Sequence, residues 1–300
     1  MKEISVCAVV ATYNRKELLE QCINQILKQE AAECDIIVVD NGSTDGTEDL
    51  FSTEFAIDSI KYINIGKNLG SAGSQAIGLK EAVKADYKYI WLMDDDVIPQ
   101  TNSLYELLKA NEELCGNWGI LSSVAYWKDG TICEANRQKK SIFKFMTDMD
   151  YNQKYVPVFM VSAASMFIKA EAIRKMGLPI SEYFIYTDDY EYSSRIGRKY
   201  SIYVVTSSKV MHAMKVNMKV NIVKETSDRL HRYEYLYRND VHCYRQFGIK
   251  GHLYLIIKFI YTFFLIILCE RKAVKKKISI LVKGYLNGLQ FNPVIENIDV

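Results

Sequence analysis

Proline is scarce in this 300-residue chain, with four in all, and its fifteen glycines are scattered. A long flexible linker is therefore excluded. No internal repeat or low-complexity tract is present. The seven cysteines (Cys7, Cys22, Cys34, Cys115, Cys133, Cys243 and Cys269) include no C-x-x-C pair. That argues against a disulfide framework or structural zinc and for a reducing compartment. The opening MKEISVCAVVATYNR has an apolar run too short and too soon broken for a secretory signal, so a cytoplasmic location is expected. A glycine-rich phosphate loop ending in Lys-Ser or Lys-Thr is missing as well.

What is present is an ordinary globular composition, 49% hydrophobic and 25% charged, long enough to bury a large core. The net charge is only +2, but it is unevenly spread. Through Ser207 there are 22 basic and 29 acidic residues, a net of −7; from Ser208 onward 16 basic and 7 acidic, a net of +9. The acidic part is a poor nucleic-acid surface, and the basic tail suits phosphates or an anionic membrane.

Short β-branched runs alternate with helical periodicity. Residues 4–11, 35–39, 61–65 and 87–93 read as strands, and 16–29, 47–55 and 74–84 as helices. That alternation predicts an α/β fold, a mostly parallel sheet flanked by helices, with ligands at the carboxyl edge. Polar residues follow each early strand: Thr12–Arg15, Asp40-Asn41, Asn68 and Asp94–Asp96. Further along, 101–114 and 189–199 read as helices, and 119–126, 158–169 and 201–206 as strands.

Three adjacent carboxylates, Asp94-Asp95-Asp96, end an apolar strand. Asp94 and Asp96 point the same way from an extended chain and suit Mg²⁺ or Mn²⁺; the other reading is a solvated turn capping the next helix. The run Thr187-Asp188-Asp189-Tyr190-Glu191 reads either as a capping-box variant or as a site where Asp189 is a general base. His212 is either an ordinary surface or core histidine or the further donor that a two-aspartate metal site requires. Asp40 and Asn68 fit plain βα turns and equally a nucleoside pocket.

Together VVATYNR (9–15), VVDNGSTDGT (38–47), NLGSAGSQAIGL (68–79), WLMDDDV (91–97) and TDDYEYSSRIGR (187–198), with the later His212, resemble family 2 glycosyltransferases of the GT-A (Rossmann-like) fold. The resemblance runs from residue 4 to about 245. Within the family it is most similar to bacterial rhamnosyltransferases and galactofuranosyltransferases of surface-polysaccharide synthesis. RYEYLYRN (232–239) fits that subgroup too.

The resemblance implies a metal-dependent, inverting transfer from a nucleotide-diphosphate sugar, UDP-galactofuranose or dTDP-rhamnose, to a hydroxyl of a glycan or lipid-linked glycan. It implies a nucleotide pocket of Thr12, Tyr13, Asn14, Arg15, Asp40, Asn68, Asp94 and Asp95. It implies Mn²⁺ or Mg²⁺ on Asp94, Asp96 and His212, with Asp189 as base beside Asp188 and with Glu191 toward acceptor hydroxyls. GSAGS stands where many relatives carry GGAGG. The implied domains are 1–222, the GT-A unit, and 223–300, a helical basic and apolar region.

In that second region the apolar stretch 253–268 is shorter than the ~20 residues of a spanning helix and contains Lys258. With Arg271, Lys272, Lys275, Lys276, Lys277 and Lys283 behind it, an interfacial helix on the inner face of the cytoplasmic membrane is the leading reading. A spanning helix and a buried core helix are the alternatives. The Tyr/Arg interleaving at 232–245 fits a packed amphipathic helix and carries no RNA-binding motif, so no nucleic-acid partner is expected.

Other classes fit less well. A non-catalytic sugar-nucleotide binder would have no need of all these acids. A nucleotidyltransferase needs glycines near residue 10, where ATYNRKE has none. A processive synthase needs several long apolar helices and a QxxRW motif. A glycosyltransferase using a UDP-hexopyranose remains an alternative donor reading.

Overall fold

The computed structural model describes residues 5–30, 33–225 and 228–298. The first half is a run of strand–helix units. Strand β1 (Val6–Thr12) leads to helix α1 (Lys16–Leu27), β2 (Cys34–Asp40), a single turn α2 (Asp49–Ser52), β3 (Ile60–Asn64), α3 (Gly70–Lys84) and β4 (Tyr89–Asp94). Then come β5 (Val97–Pro99), α4 (Ser103–Glu113), β6 (Ile120–Tyr126), β7 (Tyr155–Pro157), β8 (Met166–Lys169), α5 (Ala170–Met176), α6 (Asp188–Ile196) and β9 (Ile202–His212). The described residues form one nine-stranded sheet in the order β3-β2-β1-β4-β8-β6-β9-β5, with β7 also on β9.

The two-residue period of a strand explains the layering. Ala8 and Val10 of β1 face one side and pack with Leu19, Cys22, Ile23 and Ile26 of α1. Cys7 and Val9 face the other and pack with Ala76, Leu79 and Val83 of α3. Strands β1, β2 and β4 are hydrophobic on both faces because helices cover both. The block β3-β2-β1-β4 is parallel as expected. Beyond β4 the sheet is mixed, since β8 arrives antiparallel to both β4 and β6. No crossover helix precedes β8, so nothing returns the chain to the parallel sense.

Three expected elements differ. The helix expected over 47–55 is only the single turn Asp49–Ser52. The apolar run 158–169 is strand only at Met166–Lys169. Ahead of it, backbone amides are taken by side chains of α6, with Val161 N–H donating to Ser193 Oγ (3.1 Å) and Ala163 N–H to Asp189 Oδ2 (3.4 Å). Strand β9 is longer than 201–206. It passes an irregularity opposite Ser123/Val124 and runs on to His212.

Three helices complete the chain: α7 (Arg232–Arg245), α8 (Gly248–Cys269) and α9 (Val274–Gln290). They share a core of Ile222, Leu230, Tyr233, Tyr237, Ile266, Ile280 and Leu281. A second cluster, with Met160, Val241, Tyr244 and Leu255, joins them to the sheet unit. Helix α8 has 22 residues, longer than its sixteen-residue apolar run, and by length and composition is able to cross a membrane. One narrow side packs on the protein, with Gly251, Leu255, Thr262 and Ile266 buried, and Leu253, Ile256, Ile260, Phe264 and Leu268 face outward. The lysine cluster is one residue smaller than its sequence suggests. Lys277 is buried and donates to Glu270 and to the carbonyl of Val223, at 2.9 Å for the latter.

Candidate active site

Parallel register gathers the strand ends. Thr12 stands opposite Asp40, Ala11 opposite Asp94, and Asp40 opposite Asn64. Thr12 Oγ1 donates to Asp95 Oδ2 (2.8 Å). Arg15 Nη1 donates to Asp95 Oδ1 (3.0 Å) and to Asp96 Oδ2 (2.6 Å). Asn14, at φ +52°, ties this loop to the next: its N–H donates to Ser43 Oγ (2.8 Å) and its Oδ1 accepts from Thr44 N–H (2.7 Å). Tyr13 is left exposed at the rim.

A second pairing brings in the histidine. Strand β5 runs antiparallel to β9 with Val97 opposite His212, and Ala213 N–H donates to the carbonyl of Asp96 (2.8 Å). The Asp96 side chain therefore meets His212 Nε2 at 3.0 Å. The ring's other nitrogen, Nδ1, lies 2.7 Å from Asn136 Oδ1, and Asn136 Nδ2 donates to Ser162 Oγ (3.0 Å). With an acceptor at each nitrogen, the ring holds two protons. Burial opposes that charge, but the Asp96 hydrogen bond and the neighbouring carboxylates carry its pKa up to about 10.

The three aspartates are separated by environment. Burial and the negative charge of Asp96 push Asp94 up to about 7. Burial, partly offset by Arg15, raises Asp95 to about 6. Burial acts on Asp96 too, but His212 and Arg15 hold it below the usual carboxylate range. Among the described residues, no three His, Cys, Asp or Glu side chains surround a common metal-sized point. Of the expected ligands Asp94, Asp96 and His212, two are in contact. The carboxylate oxygen suits Mn²⁺ or Mg²⁺, the imidazole becomes a donor once an incoming cation displaces its Nε2 proton, and the buried excess of negative charge beside the pair is what a dication relieves.

The 187–191 turn faces the same corner across α3. Ser71 and Gln75 lie one helical turn apart on one face of α3. Ser71 Oγ donates to Asp188 Oδ2 (3.3 Å) and Gln75 Nε2 to Asp94 Oδ1 (3.5 Å). The charge on Asp94 is close enough to raise the pKa of Asp188. GSAGS has its own logic here. Gly70 sits at φ +74°, and a Cβ on it would lie 2.0 Å from the carbonyl oxygen of Phe184.

Asp188 and Asp189 are adjacent buried carboxylates with different fates. Burial and the neighbouring charge of Asp189 drive Asp188 well above the carboxylate range. Asp189 is raised by burial to about 6, held there by the N–H groups of Tyr190 and Ala163. Asp188 is raised the further of the two, so a proton taken up by the pair favours Asp188.

Three of the expected site residues have partners within the protein. Glu191 does not face the cleft: Arg195 donates to both of its oxygens, Nε at 2.8 Å and Nη2 at 3.0 Å, and both side chains are buried. Both oxygens of buried Asp40 are engaged: Oδ1 accepts from Ser43 and Oδ2 from Tyr62 Oη (2.6 Å). It shapes the loop from beneath. Asn68 is exposed, and its Oδ1 accepts from Gly70 N–H (2.8 Å). Two residues were missed. Asn136 orients His212, and buried Asn41 ties three loops, donating to Thr12 O and Ser74 Oγ and accepting from Leu69 N–H. Asn41 was visible in DNGS; Asn136 lies in an irregular segment with no sequence signal.

The model of glycosyl transferase family 2 matches residues 7–177. Galactofuranosyltransferase GlfT1 of Mycolicibacterium smegmatis is 24% identical over 207 residues, which is 64% of this chain and 65% of that protein. The poly-beta-1,6-N-acetyl-D-glucosamine synthase of Staphylococcus epidermidis is 24% identical over 101 residues, 34% of this chain and 24% of that one. The chain thus spans under two thirds of both relatives. Among solved structures, GalNAc-T7 with UDP, GalNAc and Mn²⁺ superposes with a TM-score of 0.65 at 11% identity, over 99% of this chain and 55% of that one. The mannosyltransferase PcManGT from Pyrobaculum calidifontis, with GDP-Man and Mn²⁺, gives 0.60 at 14% identity, over 96% and 88%.

Proposed function

Because the chain belongs to glycosyl transferase family 2 and has the GT-A fold, we propose that it is an inverting, metal-dependent glycosyltransferase of surface-polysaccharide synthesis. Its donor on this reading is UDP-galactofuranose or dTDP-rhamnose, and its acceptor a glycan or lipid-linked glycan hydroxyl. The likeness to GlfT1 favours galactofuranose. The observation that carries the reading is the meeting of two distant acidic groups across one face of α3, through Ser71–Asp188 and Gln75–Asp94.

The geometry supports a role for each residue. Thr12, Tyr13 and Arg15 are proposed to line the nucleotide pocket, with Asn14, Asn41 and Asp40 holding its loops. Asp95 is proposed to meet the nucleoside. Asp96 and His212 would hold Mn²⁺ or Mg²⁺, with Asp94 beside them. When bound, that ion supplies neutralisation of charge on the departing nucleotide diphosphate. Arg15 adds a fixed positive charge at the same edge.

Asp189 takes the proton of the attacking hydroxyl. With a pKa of about 6 it is largely ionised at neutral pH yet basic enough to accept a proton. Attack from the face opposite the leaving nucleotide inverts the anomeric centre. Asp188, raised further than Asp189 by burial and by its neighbour's charge, favours its neutral form and so limits the negative charge at the site.

The catalytic unit is proposed to be 1–222. The region 223–300 is proposed to lay the outer stripe of α8 in the interface of an anionic membrane, with Arg271, Lys272, Lys275, Lys276 and Lys283 toward the headgroups. Lys258 argues against spanning, because it points back into the protein and pairs with Asp240 at 2.6 Å. Purified protein with Mn²⁺ or Mg²⁺, offered a panel of UDP- and dTDP-sugars, tests the donor. Metal-dependent turnover of a furanose or rhamnose donor supports the reading, and turnover of a UDP-hexopyranose alone replaces it.

A further inference from the structure

The stretch just before Asp188 follows a path that L-residues resist. Phe184, Tyr186 and Thr187 have φ of +64°, +67° and +67°. For a β-branched residue such as Thr187 this is a strained conformation that persists only when its surroundings enforce it. The enforcing contacts come from α7. Asn239 is fully buried, and its Nδ2 lies within reach of three carbonyls of that stretch: Tyr183 (2.9 Å), Ile185 (3.0 Å) and Tyr186 (2.8 Å). Arg238 fixes the amide's orientation. A guanidinium only donates, so the Oδ1 of Asn239 faces Arg238 Nε and Nη2 (3.0 and 2.8 Å), and Nδ2 must face the carbonyls.

Asp240 completes the clamp. Its Oδ1 accepts from Thr187 Oγ1 (3.0 Å) and its Oδ2 from Lys258 Nζ of α8 (2.6 Å). Thr187 begins α6, where a threonine hydroxyl ordinarily caps the helix. Here its side chain makes no cap and is turned to Asp240.

We propose that Asn239 and Asp240 are positioning residues that hold 183–187 in its left-handed path and so aim Asp189 into the cleft, with Lys258 locking Asp240 from α8. The proposal rests on the reading of Asp189 as proton acceptor. It also gives RYEYLYRND a task at the site: its final Arg-Asn-Asp makes the clamp, and the preceding aromatic residues pack α7 in place.

The test uses the full chain and compares Thr187→Val, Thr187→Ser, Asp240→Asn and Asn239→Ala with Asp189→Asn. UDP-galactofuranose is the first donor probe, then the rest of the donor panel. Thr187→Val is expected to lower kcat ten- to a hundredfold, with donor KM and Tm close to those of the unaltered chain, because a small misplacement of a reacting group is enough for such a loss. Thr187→Ser, which restores the hydroxyl, is expected to recover most of it. The double variant Thr187→Val, Asp240→Asn should lose little beyond the worse single. Hydrogen exchange of amides 184–190, expected about tenfold faster in Thr187→Val, reads loop position without any substrate.

The outcomes separate the two ideas. Full transfer by Asp189→Asn removes the proton-acceptor reading. An inactive Asp189→Asn beside a Thr187→Val with unaltered kcat and unaltered exchange overturns the positioning role alone. If Asn239→Ala does not fold, the Thr187 pair still decides, and if no donor turns over, exchange at 184–190 decides by itself.

Discussion

Asp96 and His212 are in contact at 3.0 Å because the short strand after the triple aspartate runs antiparallel to β9 with Val97 opposite His212. On the proposed reading, either residue on its own is half of a donor set. His212→Ala and Asp96→Ala are each expected to abolish the Mn²⁺-dependent part of UDP binding, measured as thermal stabilisation by UDP with and without metal. Asn136→Ala, which frees the ring to rotate, should weaken apparent Mn²⁺ affinity about ten- to a hundredfold. Unchanged metal dependence in Asp96→Ala would remove the pair from that role.

Activity should follow the ionisation of Asp189. Its pKa is raised to about 6 by burial, and the base must be unprotonated. The rate is therefore flat above that value and falls about tenfold per pH unit below it. A pH–kcat profile between 4.5 and 8 checks this. Asp189→Asn should lose that limb along with most of the turnover.

Glu191 and Arg195 form a buried, two-pronged pair, so removing one partner strands a charge. Glu191→Gln is expected to lower stability by about 3 kcal/mol in urea unfolding. Once folded, the variant should keep its kcat. A large kcat loss at unaltered stability would return Glu191 to the cleft.

Gly70 lies against the carbonyl of Phe184 at a positive φ. Gly70→Ala is expected to cost about 2–4 kcal/mol, from strain and from displacing the loop that precedes Asp188. Gly66, also at positive φ but with open space around it, is the control, where alanine should cost about 1 kcal/mol.

Sedimentation with vesicles checks the membrane reading. Binding to vesicles containing phosphatidylserine should exceed binding to neutral ones and weaken with salt. Lys275→Glu with Lys276→Glu should reduce it, by roughly 1 kcal/mol per lost positive charge near the surface. Equal binding to neutral vesicles would leave only the apolar stripe at work.

The strand-end acids were readable from sequence because each strand of the parallel block is a hydrophobic run ending in polar residues, and parallel register must bring those ends together. The Asp96–His212 contact needed a pairing between β5 and β9 that no local pattern announces. Asp40 and Glu191 make one point. Motif position marks a residue as near the site, but a carboxylate's freedom depends on neighbours such as Tyr62 and Arg195, which lie elsewhere in the chain or on the helix's inner side. The run 158–169 misled because its amides bond to α6 side chains, which hydropathy does not record.

Lys258 belongs to the most lipid-like helix of the molecule, yet its charge ends on an aspartate that grips the approach to Asp189. A version trimmed of its last eighty residues to improve handling would therefore be a different catalyst. On the positioning reading, the hand that steadies its proton acceptor would be gone.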